Sequence, residues 1–180
     1  MRVRTLVIGG ARSGKSAYAE SLLGEHASVR YVATARPDPT DADFQCRIAA
    51  HRARRPASWR VVETDDLAAD VRFDGAPTLV DDLGTWLTGV LDDADAWEKP
   101  RGSVCATLDG LVRAVDECSG RLVLVTPEVG QGIIPATASG RLFRDEIGLL
   151  NQRLAGVCDE VVLVVAGLPL ALKSKGARWR

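Results

Sequence analysis

Apolar and β-branched runs recur along the chain with room for a helix between each pair: Val3–Ile8, Val29–Ala33, Trp59–Glu63, Thr78–Val80, Leu122–Thr126 and Val161–Ala166. Short continuous apolar runs predict strands buried on both faces, the environment of a parallel sheet. The segments between them carry apolar residues at helical spacing, in Ala17–Leu23, Phe44–Arg54, Leu83–Leu91, Val104–Cys118 and Leu142–Leu154. Parallel strands need a crossover, usually a helix. The alternation therefore predicts an α/β fold, a doubly wound and largely parallel sheet flanked by helices. Residues 92–102 read as a polar surface connection, and the residues after Leu172 as a short, basic, frayed tail.

Composition narrows the class. A chain of 180 residues with 46% hydrophobic content has the size and core of one domain. A net charge of −1 gives no global field to recruit nucleic acid or an anionic membrane, so any basic site must be local. The four cysteines form no Cys-x-x-Cys pair, which argues against a zinc ribbon or a thioredoxin-like motif and fits reduced thiols in a cytoplasm. The N-terminus enters a strand directly, without the apolar stretch and cleavage site of a signal peptide and without a membrane span.

Gly9-Gly10-Ala11-Arg12-Ser13-Gly14-Lys15-Ser16 is a complete G-x-x-x-x-G-K-S pattern, set between the first predicted strand and the first predicted helix. In that context the glycines let backbone N–H groups turn inward around phosphate oxygens. Lys15 supplies a charge to the terminal phosphates, and Ser16 offers a hydroxyl to Mg²⁺. The following helix adds its positive end. The pattern makes the chain a user of nucleoside triphosphate without saying what accepts the phosphate.

Two histidines are candidates for imidazole chemistry. His26 follows the first helix, where an imidazole can meet exposed carbonyls. His51 lies in Arg47-Ile-Ala-Ala-His51-Arg-Ala-Arg54-Arg55, and at helical spacing Arg47, His51, Arg54 and Arg55 share a face. Neighbouring guanidinium groups favour the neutral, nucleophilic imidazole, although such a charge run also reads as a solvated basic face. Asp81 and Asp82 end the strand Thr78–Val80. Asp81 is the first choice for a Mg²⁺-holding acid, and Asp82 suits a helix N-cap. Glu63 and Glu128 close strands on the ligand edge, as nucleotide contacts, positioning groups or surface ion pairs.

Together the loop 9–16, Tyr31-Val-Ala-Thr-Ala35, Arg47-Ile-Ala-Ala-His51, Trp59-Arg-Val-Val-Glu63, Glu128-Val-Gly-Gln-Gly-Ile-Ile-Pro135, Phe143-Arg-Asp145 and Asn151-Gln-Arg-Leu154 resemble one family. It is the bifunctional adenosylcobinamide kinase / adenosylcobinamide-phosphate guanylyltransferase family of cobalamin biosynthesis, and the resemblance runs from Leu6 to about Lys173. It implies a P-loop NTPase sheet of RecA-like type, a single nucleotide-binding catalytic domain over 1–173 with a basic tail at 174–180, and a homotrimer. It implies that Ala33, Thr34, Ala35, Arg52, Ala53, Arg54, Arg55, Glu63 and Asp81 join the loop in the nucleotide site, that His51 carries the guanylyl group, and that Ser16 and Asp81 hold Mg²⁺. ATP and GTP would be the donors, and adenosylcobinamide and its phosphate the acceptors.

Two positions depart from the family pattern. Ala50 stands where a second histidine is common, and Pro127 where a polar residue usually precedes Glu-Val-Gly. Neither touches the nucleophile or the loop. Two other readings stay open on sequence: a P-loop small-molecule kinase in which His51 belongs only to a basic helix, and a regulatory nucleotide-binding module.

Overall fold

A computed structural model describes residues 2–36, 49, 56–64, 66–73 and 75–174. The strands are β1 (Val3–Gly9), β2 (Arg30–Ala33), β3 (Arg60–Glu63), β4 (Thr78–Asp81), β5 (Arg121–Pro127), β6 (Glu160–Val165) and β7 (Leu168–Lys173). The described helices are α1 (Lys15–Ser21), α2 (Leu67–Val71), α3 (Leu83–Asp93), α4 (Cys105–Glu117) and α5 (Ala138–Val157). The predicted helix Phe44–Arg54 falls, apart from Ala49, outside the described residues.

The strands form one sheet in the order β3-β2-β4-β5-β1-β6-β7, parallel except for the antiparallel β6–β7 pair. Every predicted strand is present, but the edge strand β7 was not predicted, and its last residue, Lys173, is the first of the expected frayed tail. It returns from β6 through Ala166 and Gly167, both at positive φ (52° and 79°). Two consecutive positive φ values match the right-handed twist of the flanking strands and close a two-residue hairpin. Helix α2 is also absent from the sequence reading. It is a single short turn capped by Asp66, whose carboxylate accepts the Ala69 N–H at 3.0 Å.

The helix expected at Leu142–Leu154 is longer at both ends. Thr137 Oγ1 accepts the Gly140 N–H at 3.1 Å and so starts it a full turn earlier. Its N-terminal turn then projects over the carboxyl edge of the sheet. Two apolar clusters fill the layers. Leu6, Val80, Leu122 and Leu124 face α3, α4 and α5 through Leu83, Leu87, Leu108, Leu111, Ile147 and Leu150. The other face of the sheet, through Val7, Leu79, Val123 and Val125, covers Ala19 and Leu23 of α1. Burying a leucine fully contributes about 2 kcal/mol, so these layers hold the strand ends in fixed register. No described helix is long and apolar enough to cross a membrane.

Candidate nucleotide and phosphoryl-transfer site

At the carboxyl end of β1 the chain turns through residues 10–14 into α1. Gly9 has no room for a side chain, because a Cβ there would lie 2.4 Å from Ser13 Oγ and 2.8 Å from Val164 O. Gly14 has φ 90°, and a Cβ on it would meet the Gly167 Cα at 3.1 Å. Those two positions require glycine for different reasons, close approach in one and left-handed backbone in the other. The turn is held internally by Ser13 N–H to Gly10 O (3.3 Å) and externally by Gly167 N–H to Ser13 O (2.8 Å). The β6–β7 turn therefore clasps the loop from outside.

Lys15 lies over the loop with Nζ 3.4 Å from Gly10 O, a long contact that leaves most of its donor capacity for a ligand. Ser16 Oγ donates to Asp81 Oδ1 at 3.1 Å, and the buried Tyr31 hydroxyl donates to Asp81 Oδ2 at 2.7 Å. Thus α1 and β4 place a hydroxyl and a carboxylate together beside the loop, with Tyr31 of β2 holding the carboxylate. Oxygen donors of this kind suit Mg²⁺, which keeps waters and phosphate oxygens as its remaining ligands. Among the described residues no cluster of three or more His, Cys, Asp and Glu side chains forms a protein-only metal cage.

Asp82 follows Asp81 across a cis peptide bond and caps α3, its Oδ1 accepting the Thr85 N–H at 2.9 Å. Burial raises its pKa, the Thr85 N–H opposes that shift, and neighbouring Asp81 adds to it. The two acids at the strand end thus separate, and Asp82 takes the helix N-cap expected of it. Asp81 meets the loop serine, and Asp82 starts the helix.

Thr34 is buried, and its hydroxyl is engaged with Asp82 O at 2.7 Å and the Thr85 hydroxyl at 2.6 Å. It fixes the β2 and β4 strand ends to each other, with Ala33 and Ala35 half-buried around it. Glu63 ends the edge strand β3 and is exposed. Four strand spacings separate β3 from β1, about 19 Å at 4.8 Å each. Glu63 is therefore far from the phosphate loop and on the same edge of the sheet. His51, Arg52, Ala53, Arg54 and Arg55 lie outside the described residues.

A network missed by sequence reading holds the end of β5. Thr126 Oγ1 donates to Asn151 Oδ1 at 2.6 Å, Asn151 Nδ2 donates to Pro127 O at 3.0 Å, and Glu128 N–H donates to Gly9 O at 3.0 Å. The signal was present only as an asparagine on the apolar side of a helix. Its partners lie 24 and 25 residues away.

The sheet order, the glycine-built loop and the facing serine and aspartate define a P-loop nucleoside-triphosphate-binding enzyme of RecA-like strand order. The fold agrees with solved structures. A prototypical ATPase from the type III secretion system of pathogenic bacteria superposes with TM-score 0.56 at 14% identity, over 94% of this chain and 56% of that one. The assembled ATPase EscN of enteropathogenic E. coli gives 0.53 at 12% identity, over 91% of this chain and 43% of its own. The chain thus spans about half the length of these structures.

Sequence comparison narrows the class further. The family model described as cobinamide kinase / cobinamide phosphate guanyltransferase matches residues 5–172, and the chain belongs to that family. It is 42% identical to the bifunctional adenosylcobalamin biosynthesis protein CobP of Pseudomonas aeruginosa, over 96% of this chain and 99% of the relative. It is 39% identical to the bifunctional adenosylcobalamin biosynthesis protein CobU of Escherichia coli K12, over 93% of this chain and 98% of the relative.

Proposed function

We propose that this chain performs both reactions in its family's description, phosphorylating adenosylcobinamide with ATP or GTP and then transferring GMP from GTP to adenosylcobinamide phosphate. The observation that carries the reading is the preformed loop Gly9–Ser16 opposite Asp81, in a chain whose family membership extends over nearly its whole length. Residues 1–173 act as one catalytic unit, with 174–180 a basic tail.

In the phosphoryl step the loop N–H groups bind and orient the triphosphate, and Lys15 follows the charge that moves onto the leaving phosphate. Ser16 and Asp81 would hold Mg²⁺, which when bound supplies Lewis-acid charge at the phosphate oxygens. In the guanylyl step His51 attacks the α-phosphorus of GTP. The bond to pyrophosphate breaks, and a phosphoramidate to GMP forms. The phosphate of the acceptor then displaces His51, giving adenosyl-GDP-cobinamide. Arg52, Arg54 and Arg55 neutralise the polyanions that reach the imidazole in turn, and Ala33, Thr34, Ala35, Ala53 and Glu63 complete the nucleotide site.

The protein acts in the cytoplasm as a homotrimer. The row of exposed Leu168, Leu170 and Leu172 on the edge strand β7 supports assembly, since apolar edges are normally covered.

The test is incubation of the full chain with α-labelled GTP and Mg²⁺, followed by denaturation. Acid-labile, base-stable label on wild type and none on His51→Ala is the expected result. An unlabelled wild type, or an equally labelled His51→Ala, rejects the guanylyl-histidine.

A further inference from the structure

Phosphoryl transfer to an alcohol releases a proton, and no group in the steps above receives it. The acid best placed for that task is Glu128. Strand β5 lies between β1, which carries the phosphate loop, and β4, which carries Asp81. Its last ladder residue, Pro127, is in register with Gly9, so Glu128 leaves the sheet between the loop and the aspartate.

The β4–β5 register pairs Val80 with Leu124. Asp81 is therefore level with Val125, and Glu128 stands three residues further out, about 10 Å along the strand direction. That is the side from which a second substrate approaches a triphosphate already seated in the loop.

The carboxylate is held rather than floating. Its backbone N–H is bonded to Gly9 O (3.0 Å), and the preceding carbonyl, on Pro127, accepts from the buried Asn151 side chain (3.0 Å). Glu128 Oε1 accepts the Gly130 N–H at 2.6 Å, and Arg144 of α5 donates to Gly130 O at 2.7 Å. Arg141 fastens the far end of the same loop through Pro135 O at 2.9 Å. Among the described residues the second carboxylate oxygen, Oε2, has no hydrogen-bond partner. One oxygen is anchored by the loop it helps to shape, and the other is available as a base.

We propose that Glu128 is a catalytic residue of the kinase step, the acceptor of the hydroxyl proton. Resting on the phosphoryl-transfer half of the reading above, the step balances as follows. The acceptor oxygen forms its bond to the γ-phosphorus, and its O–H bond breaks with the proton passing to Glu128 Oε2. The bond from the γ-phosphorus to the bridging oxygen breaks with its electron pair remaining on the nucleoside diphosphate. Water later removes the proton from Glu128.

Glu128→Gln tests this, because a glutamine keeps a carbonyl oxygen for the Gly130 N–H and loses only the base. The expected result is a fall of about 10²-fold or more in kcat for adenosylcobinamide phosphorylation, in the range of general-base contributions, with KM for ATP and guanylylation from α-labelled GTP unchanged. A Glu128→Gln enzyme with wild-type kcat overturns the assignment, and so does one that loses nucleotide affinity in parallel with kcat. If Glu128→Ala is impaired while Glu128→Gln is not, the carboxylate serves only to cap its loop. A wild type that phosphorylates no adenosylcobinamide overturns this assignment together with the kinase reading. A phosphorylating wild type matched by Glu128→Gln overturns this assignment alone.

Discussion

Two polar clusters lie at opposite edges of the same sheet, and they treat charge in opposite ways. At the amino edge Arg4 is nearly enclosed. Its guanidinium donates to both Asp159 oxygens (3.1 and 3.3 Å), to Asp116 Oδ1 (3.0 Å) and to the Asp116 carbonyl (2.9 Å), while its own N–H also reaches Asp159 (2.8 Å). At the carboxyl edge Lys15 has a single long carbonyl contact, Asp81 accepts from two neutral hydroxyls, and Asp82 is half-buried with its pKa raised. The first cluster is complete as it stands. In the second, Lys15 acts on Asp82 through its charge alone and keeps most of its donor capacity for a phosphate.

Substitutions sharpen this contrast. The largest effect is expected from Lys15→Ala. Kinase kcat should fall by about 10²-fold or more, while the melting temperature of the nucleotide-free protein stays close to that of wild type, because little internal pairing is removed. A large loss of stability with activity retained would reverse the roles assigned to the two edges. Arg4→Met is the mirror experiment. It leaves Asp159 without its partner and should lower unfolding free energy by about 2 kcal/mol, below the range for fully buried pairs because the Asp116 side chain is 62% exposed. Nucleotide affinity, read by titration calorimetry, should not change.

The smallest effect is a matter of pH. Burial tends to raise the Asp159 pKa, but the side-chain and backbone hydrogen bonds from Arg4 outweigh it and hold the carboxyl below its ordinary range. Because the folded value is depressed, the unfolded chain binds the proton first. The stabilisation is present in full above the unfolded pKa, near about 4, and is lost as pH falls through the folded value. Melting curves between neutral and strongly acidic pH should show that decline, and Asp159→Asn should flatten part of it. An unchanged acid limb in Asp159→Asn would remove the pair from the stability of the amino edge.

The carboxyl edge was much more legible than the amino edge, and the reason is locality. The phosphate loop, Asp81 and the cap at Asp82 each depend on residues within a few positions of a strand end, so a linear reading can see them. Arg4 depends on Asp159, which lies 155 residues away, and an arginine inside an apolar strand carries no mark of its partner. Asn151 was hidden in the same way, since its importance comes from a strand end 24 residues earlier. Strand β7 escaped notice because its turn is Ala166-Gly167 rather than the Asn-Gly or Asp-Gly that announces a hairpin. Helix α2 is too short for any periodicity to show. The proposed nucleophile, His51, was read from its arginine neighbours and from family resemblance, and it lies outside the described residues.

The grip of the β6–β7 turn on the phosphate loop has an entropic consequence. A glycine-rich turn free to wander would have to give up about 1–2 kcal/mol of backbone freedom per residue when a nucleotide arrived. Here Gly167 holds Ser13 by a 2.8 Å hydrogen bond and packs against Gly14, so folding has already removed part of that freedom. Binding can then express more of the contact energy as affinity. The edge hairpin, which supplies no side chain to the reaction, thereby acts on how tightly a triphosphate is held.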